Sequence, residues 1–180
     1  MELTPAELTV LGLVIERPQH GYDLEQVIEQ RGIRQWTDIG FSSIYYLLTK
    51  LGRRGLLHVP QAPAAAKSRR VFHATPEGRR VAARNALAFV AEARPVPYPL
   101  LVGVANLSLL SPRQYEQALR TRLAHIEARM AAVQAVRAVQ RAQAALPLAA
   151  AEVFSYSLSL MEAERQWLAT RVQVPGDRQN

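Results

Sequence analysis

The chain of 180 residues suits one ordinary domain, or a small domain with an oligomerisation arm. It contains no Cys, which excludes disulfides, thiolate metal sites and a Cys nucleophile. Its formal charge of +7 favours a polyanionic partner without requiring one. The first residues lack the basic region and apolar core of a signal peptide, and the most apolar window, residues 100–110, is too short to cross a bilayer. We therefore expect a cytoplasmic protein without a membrane partner.

The positive charge is concentrated in one segment. Residues 41–84 contain nine Lys or Arg against a single acid, Glu77. Residues 1–40 contain three against seven acids, and residues 85–180 contain ten against seven. An ordinary solvated surface does not require such a concentration, which is typical of a region that contacts nucleic acid.

Two helices are predicted before residue 33. Thr4-Pro5-Ala6-Glu7 has the pattern of a capping box with proline at the first helical position, so helix 1 begins here and ends near Arg17-Pro18. A turn at residues 19–21 precedes helix 2, where Tyr22 is interpreted as a core or boundary residue. Gly32 is a suitable C-terminal stop for this helix.

A third helix and a hairpin follow. Residues 56–59 and 68–74 are typical of two strands joined by a Pro/Ala loop, and Thr75-Pro76-Glu77 caps a fourth helix that extends to about residue 93. Helix 3 begins at Ser42 or Ser43, and its apolar residues, spaced for one buried face, are Ile44, Leu47, Leu48 and Leu51. This order predicts a winged helix-turn-helix with a small two-stranded wing over residues 1–93.

The second half is predicted to be helical, so the fold class is mainly α. Three alternating prolines exclude a helix over residues 94–99, which we interpret as a linker between two domains. A short buried helix at residues 100–110 and a long helix from Ser111-Pro112 to Leu146-Pro147 precede a last helix that ends near residue 172. We assign residues 100–174 to a helical dimerisation domain and expect residues 175–180 to be disordered.

The long helix carries an apolar stripe whose steps are close to those of a coiled-coil seam. Either a partner subunit or the chain itself can cover the stripe, and a long helix with few other elements beside it favours the partner. The predicted dimer residues are Tyr115, Leu119, Leu123, Ile126, Met130 and Val133 on this helix, and Phe154, Leu158 and Trp167 on the last one.

Helix 3 and the hairpin supply the candidate DNA-binding residues. A helix fits the major groove of B-DNA, and a hairpin beside it can reach phosphates with Lys and Arg. No acid lies between Ile39 and Ala74, so we expect nothing there to repel the duplex. The predicted contacts are Ser42, Ser43, Tyr45, Tyr46, Thr49 and Lys50 on helix 3, Arg53 and Arg54 at its end, and Lys67, Arg69 and Arg70 in the wing.

Four segments resemble those of the PadR family of bacterial regulators. His20-Gly21-Tyr22-Asp23-Leu24 is similar to the family's start of helix 2, and residues 43–51, Ser-Ile-Tyr-Tyr-Leu-Leu-Thr-Lys-Leu, to its recognition helix. Gly55-Leu56-Leu57 resembles the family's entry to the wing, and residues 72–79, Phe-His-Ala-Thr-Pro-Glu-Gly-Arg, its start of helix 4. These segments cover roughly residues 8–85, and their common order and spacing make the resemblance specific. The departures from the family pattern are Gly52, Phe72 and Ala74.

The resemblance implies a DNA-binding transcriptional regulator whose helical C-terminal half builds a homodimer. It also implies control by a small hydrophobic or phenolic effector. Two recognition helices related by two-fold symmetry predict an inverted-repeat operator, and we interpret the chain as a repressor. The residues leave two other functions open: a winged helix that binds proteins rather than DNA, and a ligand-binding helical protein with a vestigial wing.

No enzyme, cofactor or metal site is predicted. The chain shows no nucleophile elbow, phosphate loop or zinc-binding pair. Its four His, at positions 20, 58, 73 and 125, show no metal-ligand spacing along the chain.

Overall fold

The computed structural model describes residues 1–40, 43–60, 70–93, 96, 98–143 and 147–172, with the backbone alone at Gln35 and Gln143. The chain divides into two compact units, Met1–Arg94 and Pro95–Asn180. The predicted cap Ser42, the wing residues Lys67 and Arg69, and the predicted disordered tail lie outside the described residues.

The N-terminal unit is a winged helix-turn-helix, which confirms the predicted fold class. Helices α1, α2, α3 and α4 span Pro5–Glu16, Gly21–Gln30, Ser43–Arg53 and Pro76–Ala91, and a short 3-10 helix lies at Ile33–Gln35. Strands β1, Leu57–His58, and β2, His73–Ala74, pair antiparallel, with Leu57 opposite Ala74 and His58 opposite His73. The Phe72 N–H donates to the Gln19 carbonyl at 3.0 Å, so the segment before α2 also joins the wing.

The apolar face of α3 forms the centre of this unit's core, as its residue spacing predicts. Its four apolar residues are at most 6% exposed and pack against Val10, Leu11 and Val14 of α1 and Leu24 and Ile28 of α2. The predicted capping box is present at the start of α1. There the Glu7 N–H donates to Thr4 Oγ1 at 3.2 Å, and the Thr4 N–H donates to Glu7 Oε2 at 2.8 Å.

Two glycines fix the junction of α3, the wing and α4. Gly55 has a φ of +69°, and the Leu56 N–H donates to the Leu51 carbonyl at 3.0 Å, as in a Schellman motif. A Cβ at Gly78 would lie 2.2 Å from the Leu56 carbonyl oxygen, so α4 approaches the wing at a distance that requires glycine. Thr75 caps α4, because its Oγ1 accepts from the Gly78 N–H at 2.9 Å. Local structure therefore explains the glycines of the Gly-Leu-Leu and Thr-Pro-Glu-Gly segments: Gly55 has a positive φ, and Gly78 lies against the backbone of Leu56.

Gly52→Ala is expected to raise the free energy of unfolding by about 0.5–1 kcal/mol, because alanine loses less backbone entropy than glycine in a helix. A Cβ at Gly52 would meet nothing closer than the Leu57 carbonyl oxygen at 4.0 Å. Urea denaturation of the full chain measures the change. Gly55→Ala is the control and should destabilise the protein, because its φ is +69°. A lower stability for Gly52→Ala would contradict this description of α3.

The C-terminal unit is built on a hairpin of two long helices. Helix α5 spans Pro99–Ala105, a 3-10 helix lies at Leu107–Leu109, and α6 and α7 span Pro112–Gln143 and Leu148–Val172. The buried core between α6 and α7 consists of Leu119, Ile126, Val133, Phe154, Met161 and Leu168. Among the described residues, no helix combines the length and apolar character needed to cross a membrane.

The apolar stripe of α6 is covered by α7 of the same chain. Tyr115, Leu123, Met130, Leu158 and Trp167 are partly buried around the core between the two helices. The sequence leaves open whether a partner subunit or the chain itself covers the stripe. The structure shows that α7 of the same chain covers it. Contact of these side chains with a second subunit stays a prediction.

The segment after the linker is helical but exposed. Leu101, Val102 and Leu109 are 63%, 66% and 79% exposed, so the predicted burial of residues 100–110 is wrong for the single chain. The apolar character of a run does not by itself show that the same chain buries it. The structure instead leaves an apolar surface in the C-terminal unit.

Candidate nucleic-acid interface

Helix α3 exposes a polar surface opposite its buried face. Tyr45 and Tyr46 are 59% and 64% exposed, and Thr49 and Arg53 are also exposed, whereas Ser43 is half-buried. The i, i+4 spacing places Tyr45 and Thr49 in one row, and Tyr46, Lys50 and Arg53 in the next. Phenols, hydroxyls and guanidinium groups can bond both phosphate oxygens and base edges.

A groove joins α3 to the wing and to the start of α2. Its volume is about 480 Å³, and its lining residues are Tyr45, Thr49, His20, Gly21, Tyr22, Arg70 and Phe72. Tyr22, predicted to be a core or boundary residue, is 56% exposed and so does not lie in the core. The apolar pattern of helix 2 gave no sign that its first turn faces this groove. Helix α3 and the wing thus contribute to one concave surface.

Gly21 explains how the Tyr45 ring lies against α2. A Cβ at Gly21 would be 2.6 Å from Tyr45 Cε1 and 3.1 Å from Cζ. The ring therefore packs on the backbone at the first residue of α2, where a larger side chain would displace it. The glycine of the His-Gly-Tyr segment positions the exposed phenol of α3.

Two of the predicted contacts, Lys50 and Arg54, are held by an acid from α1. Lys50 Nζ lies 3.0 Å and Arg54 Nη1 2.9 Å from Glu7 Oε1, and Arg54 Nη2 donates to the Glu2 carbonyl at 2.7 Å. Glu7 is 2% exposed, whereas the side chains of Lys50 and Arg54 are 41% and 22% exposed. The stretch from Ile39 to Ala74 contains no acid of its own, but α1 packs on α3 and brings the carboxylate of Glu7 to these two cations.

The carboxylate of Glu7 is stabilised in its charged form. Burial alone raises its pKa, but hydrogen bonds from the Thr4 backbone, Lys50 and Arg54 outweigh that effect, so the pKa lies below its ordinary value. The single negative charge of Glu7 therefore offsets part of the positive charge of Lys50 and Arg54 at this end of α3. The bridge links α1 to α3 and orients the helix that carries Tyr45 and Tyr46.

Arg53 and Arg70 are exposed cations on α3 and in the wing. Among the ion pairs of the described residues, neither arginine takes part in one. Arg70 shares the groove with Tyr45 and Thr49. These two side chains are available for a polyanion at no cost in broken ion pairs, and their contact with DNA stays a prediction.

The family model of the transcriptional regulator PadR-like family matches residues 10–84. Over these residues, the chain is similar to the PadR-like family. The matched segment includes α3, the wing and every residue of the groove. No curated protein matches the chain.

Solved structures of regulators share the fold of this chain. Bacillus subtilis PadR in complex with operator DNA has a TM-score of 0.73 at 17% identity, covering 94% of this chain and 98% of that one. The same protein in complex with p-coumaric acid has a TM-score of 0.70 at 16% identity, covering 92% and 95%. The Vibrio cholerae virulence activator AphA has a TM-score of 0.71 at 20% identity, also covering 92% and 95%. The chain therefore has a PadR-like transcriptional regulator fold.

Proposed function

We propose that the chain is a homodimeric transcriptional repressor that binds an inverted-repeat operator in the cytoplasm. The observation that carries the proposal is the groove, where the phenol of Tyr45, the hydroxyl of Thr49 and the guanidinium of Arg70 come together from α3 and the wing. The match of residues 10–84 to the PadR-like family model and the operator complex of a protein with the same fold support it.

We assign the elements different roles on the duplex. Helix α3 enters the major groove with Tyr45, Tyr46, Thr49 and Arg53 toward bases and phosphates. Arg70 follows the adjacent phosphate backbone, together with the predicted contacts Ser42, Lys67 and Arg69. Ser43 lies at the start of α3, and Lys50 and Arg54 lie near its end. The ion pairs of these two cations with Glu7 fix the orientation of the helix before the cations contact DNA.

A second copy of the chain is the proposed cover for the exposed apolar residues of the C-terminal unit. Leu101, Val102 and Leu109 lie near its start, and Tyr156 and Leu160 of α7 are 69% and 50% exposed although α7 packs on α6. Exposed large apolar groups are typical of an interaction surface. Residues 94–99 then act as a linker and residues 100–174 as the dimerisation domain. The two recognition helices face successive major grooves about 34 Å apart.

A small hydrophobic or phenolic compound is the proposed effector. The complex of Bacillus subtilis PadR with p-coumaric acid supports this class of ligand. Such a compound would enter the apolar C-terminal region and change the separation of the two wings, so that both can no longer fit one operator.

Selection from genomic fragments with the purified full-length chain tests the proposal. We expect enrichment of an inverted repeat with half-sites about 10–10.5 base pairs apart, and a sedimentation mass of two chains. A reporter under the selected fragment should be expressed more when the protein is absent, and phenolic acids should release the protein. Absence of a common motif would favour a protein-interaction module, and lower reporter expression without the protein would make it an activator.

A further inference from the structure

The wing places two histidines directly opposite each other. His58 on β1 and His73 on β2 are register partners, with their ring centres 5.4 Å apart and their planes inclined by 35°. Side chains alternate along a strand, and the neighbours Leu57 and Ala74 pack into the core. Both imidazoles therefore stand on the outer face of the wing, where His58 is exposed and His73 half-buried.

We propose that His58 and His73 form a two-histidine site for a borderline divalent transition metal ion such as Zn²⁺, Ni²⁺ or Cu²⁺. Neutral imidazole is a good ligand for these ions. A metal about 2.1 Å from one nitrogen of each ring, with a near-tetrahedral angle between them, sets the ring centres roughly 5 Å apart. The observed separation of 5.4 Å is close to this value.

Two histidines leave coordination positions open. Within the described part of the chain, no group of three or more His, Cys, Asp or Glu comes together, so this site supplies two protein ligands. Water, or a donor from a bound molecule, fills the other positions, as in the open sites described for catalytic zinc. The site is therefore exchangeable, and the ion that binds it depends on availability.

The sequence predicts no metal site because His58 and His73 are separated along the chain and show no local ligand spacing. The antiparallel register brings them together. A metal bound to both rings would staple β1 to β2, whose described pairing spans two residues in each strand. We also expect metal binding to change the affinity for the operator. This effect rests on the proposed function, because it requires the wing to contact DNA.

Calorimetric titration of the full-length, tag-free chain with Zn²⁺ and Ni²⁺ tests the site. We expect one ion per chain, and His58→Gln or His73→Gln should each weaken binding at least tenfold, since even loss of an outer-shell partner costs about 10–100-fold. His20→Gln and His125→Gln are matched controls and should bind as the wild type does. A wild-type dissociation constant weaker than ~1 mM, or a loss in one wing variant without the other, would overturn the proposal.

Two further measurements keep the test independent of folding and of DNA binding. In the wild type, Ni²⁺ should broaden the imidazole proton signals of His58 and His73 and leave that of His125 sharp, which needs no variant. Broadening confined to His125 or His20 contradicts the site. If the chain binds the metal but selects no operator, the proposed function is overturned and the metal site stands. If the chain selects an operator but does not bind the metal, only the metal site is overturned.

Discussion

Glu7→Gln is expected to lower the free energy of unfolding at neutral pH by about 2 kcal/mol. Removing one partner of a buried ion pair costs roughly 3–5 kcal/mol of stability. We expect a smaller loss for Glu7→Gln because Lys50 and Arg54 are partly accessible to water. Gln at the third helical position still accepts from the Thr4 N–H, so the capping box survives. The loss therefore measures the bridge between α1 and α3, and urea denaturation of the full chain provides it.

The effect of Glu7→Gln depends on pH in a direction that the structure fixes. Because the pKa of folded Glu7 is below its ordinary 4.5, the carboxylate contributes stability that is present above that value and is lost as the pH falls through the folded pKa. The difference between wild type and variant should therefore shrink in acid.

Glu16→Gln is the matched control, because Glu16 pairs with Arg31 at the exposed end of the same helix. An exposed pair contributes about 0–1 kcal/mol. Equal losses for Glu7→Gln and Glu16→Gln, or a Glu7→Gln loss that does not change with pH, would contradict the assignment of Glu7 as the buried bridge.

Gly78→Ala is expected to destabilise the chain by about 3 kcal/mol, near the upper end of the usual cost of overpacking. The added Cβ would lie 2.2 Å from the Leu56 carbonyl oxygen and 3.1 Å from its carbonyl carbon. These are backbone atoms, which cannot rotate away as a side chain does. The variant must therefore move α4 away from the wing, and this cost exceeds the gain of about 1 kcal/mol in helix propensity.

Gly12→Ala is the control for Gly78→Ala, because both residues lie within helices and a Cβ at Gly12 would meet nothing within 4 Å. The control should be as stable as the wild type or more stable. Thermal denaturation of both variants measures the difference. A melting temperature of Gly78→Ala at or above that of the wild type would show that α4 and the wing do not pack as described.

Local patterns in the sequence predict much of the N-terminal unit. The Thr4–Glu7 capping box and the buried face of α3 each depend on residues close together in the chain. For such features the backbone geometry follows from residue type and spacing. The order of helices and strands then restricts the fold to the winged helix.

Contacts between distant segments could not be predicted in the same way. The Glu7 bridge to Lys50 joins α1 to α3, and the His58–His73 pair depends on strand register. Neither contact leaves a signal in the spacing of nearby residues. The α6 stripe has the same spacing whether a partner or α7 covers it, so periodicity cannot distinguish the two.

The proposed function requires that α3 and the wing form one surface that binds DNA. Its most direct test is the affinity for the selected operator, measured as a function of salt, for wild type and for the double variant Arg53→Ala, Arg70→Ala. Each phosphate contact contributes about one to the slope of log affinity against log salt. Arg113→Ala, Arg141→Ala, which removes the same charge from exposed positions on α6, is the control.

We expect the Arg53→Ala, Arg70→Ala variant to bind the operator more weakly, with a salt slope shallower by about two, while the control retains the wild-type slope. A control that loses as much affinity as this variant would mean that overall charge, and not this surface, attracts DNA. An unchanged affinity and slope in the Arg53→Ala, Arg70→Ala variant would contradict the claim.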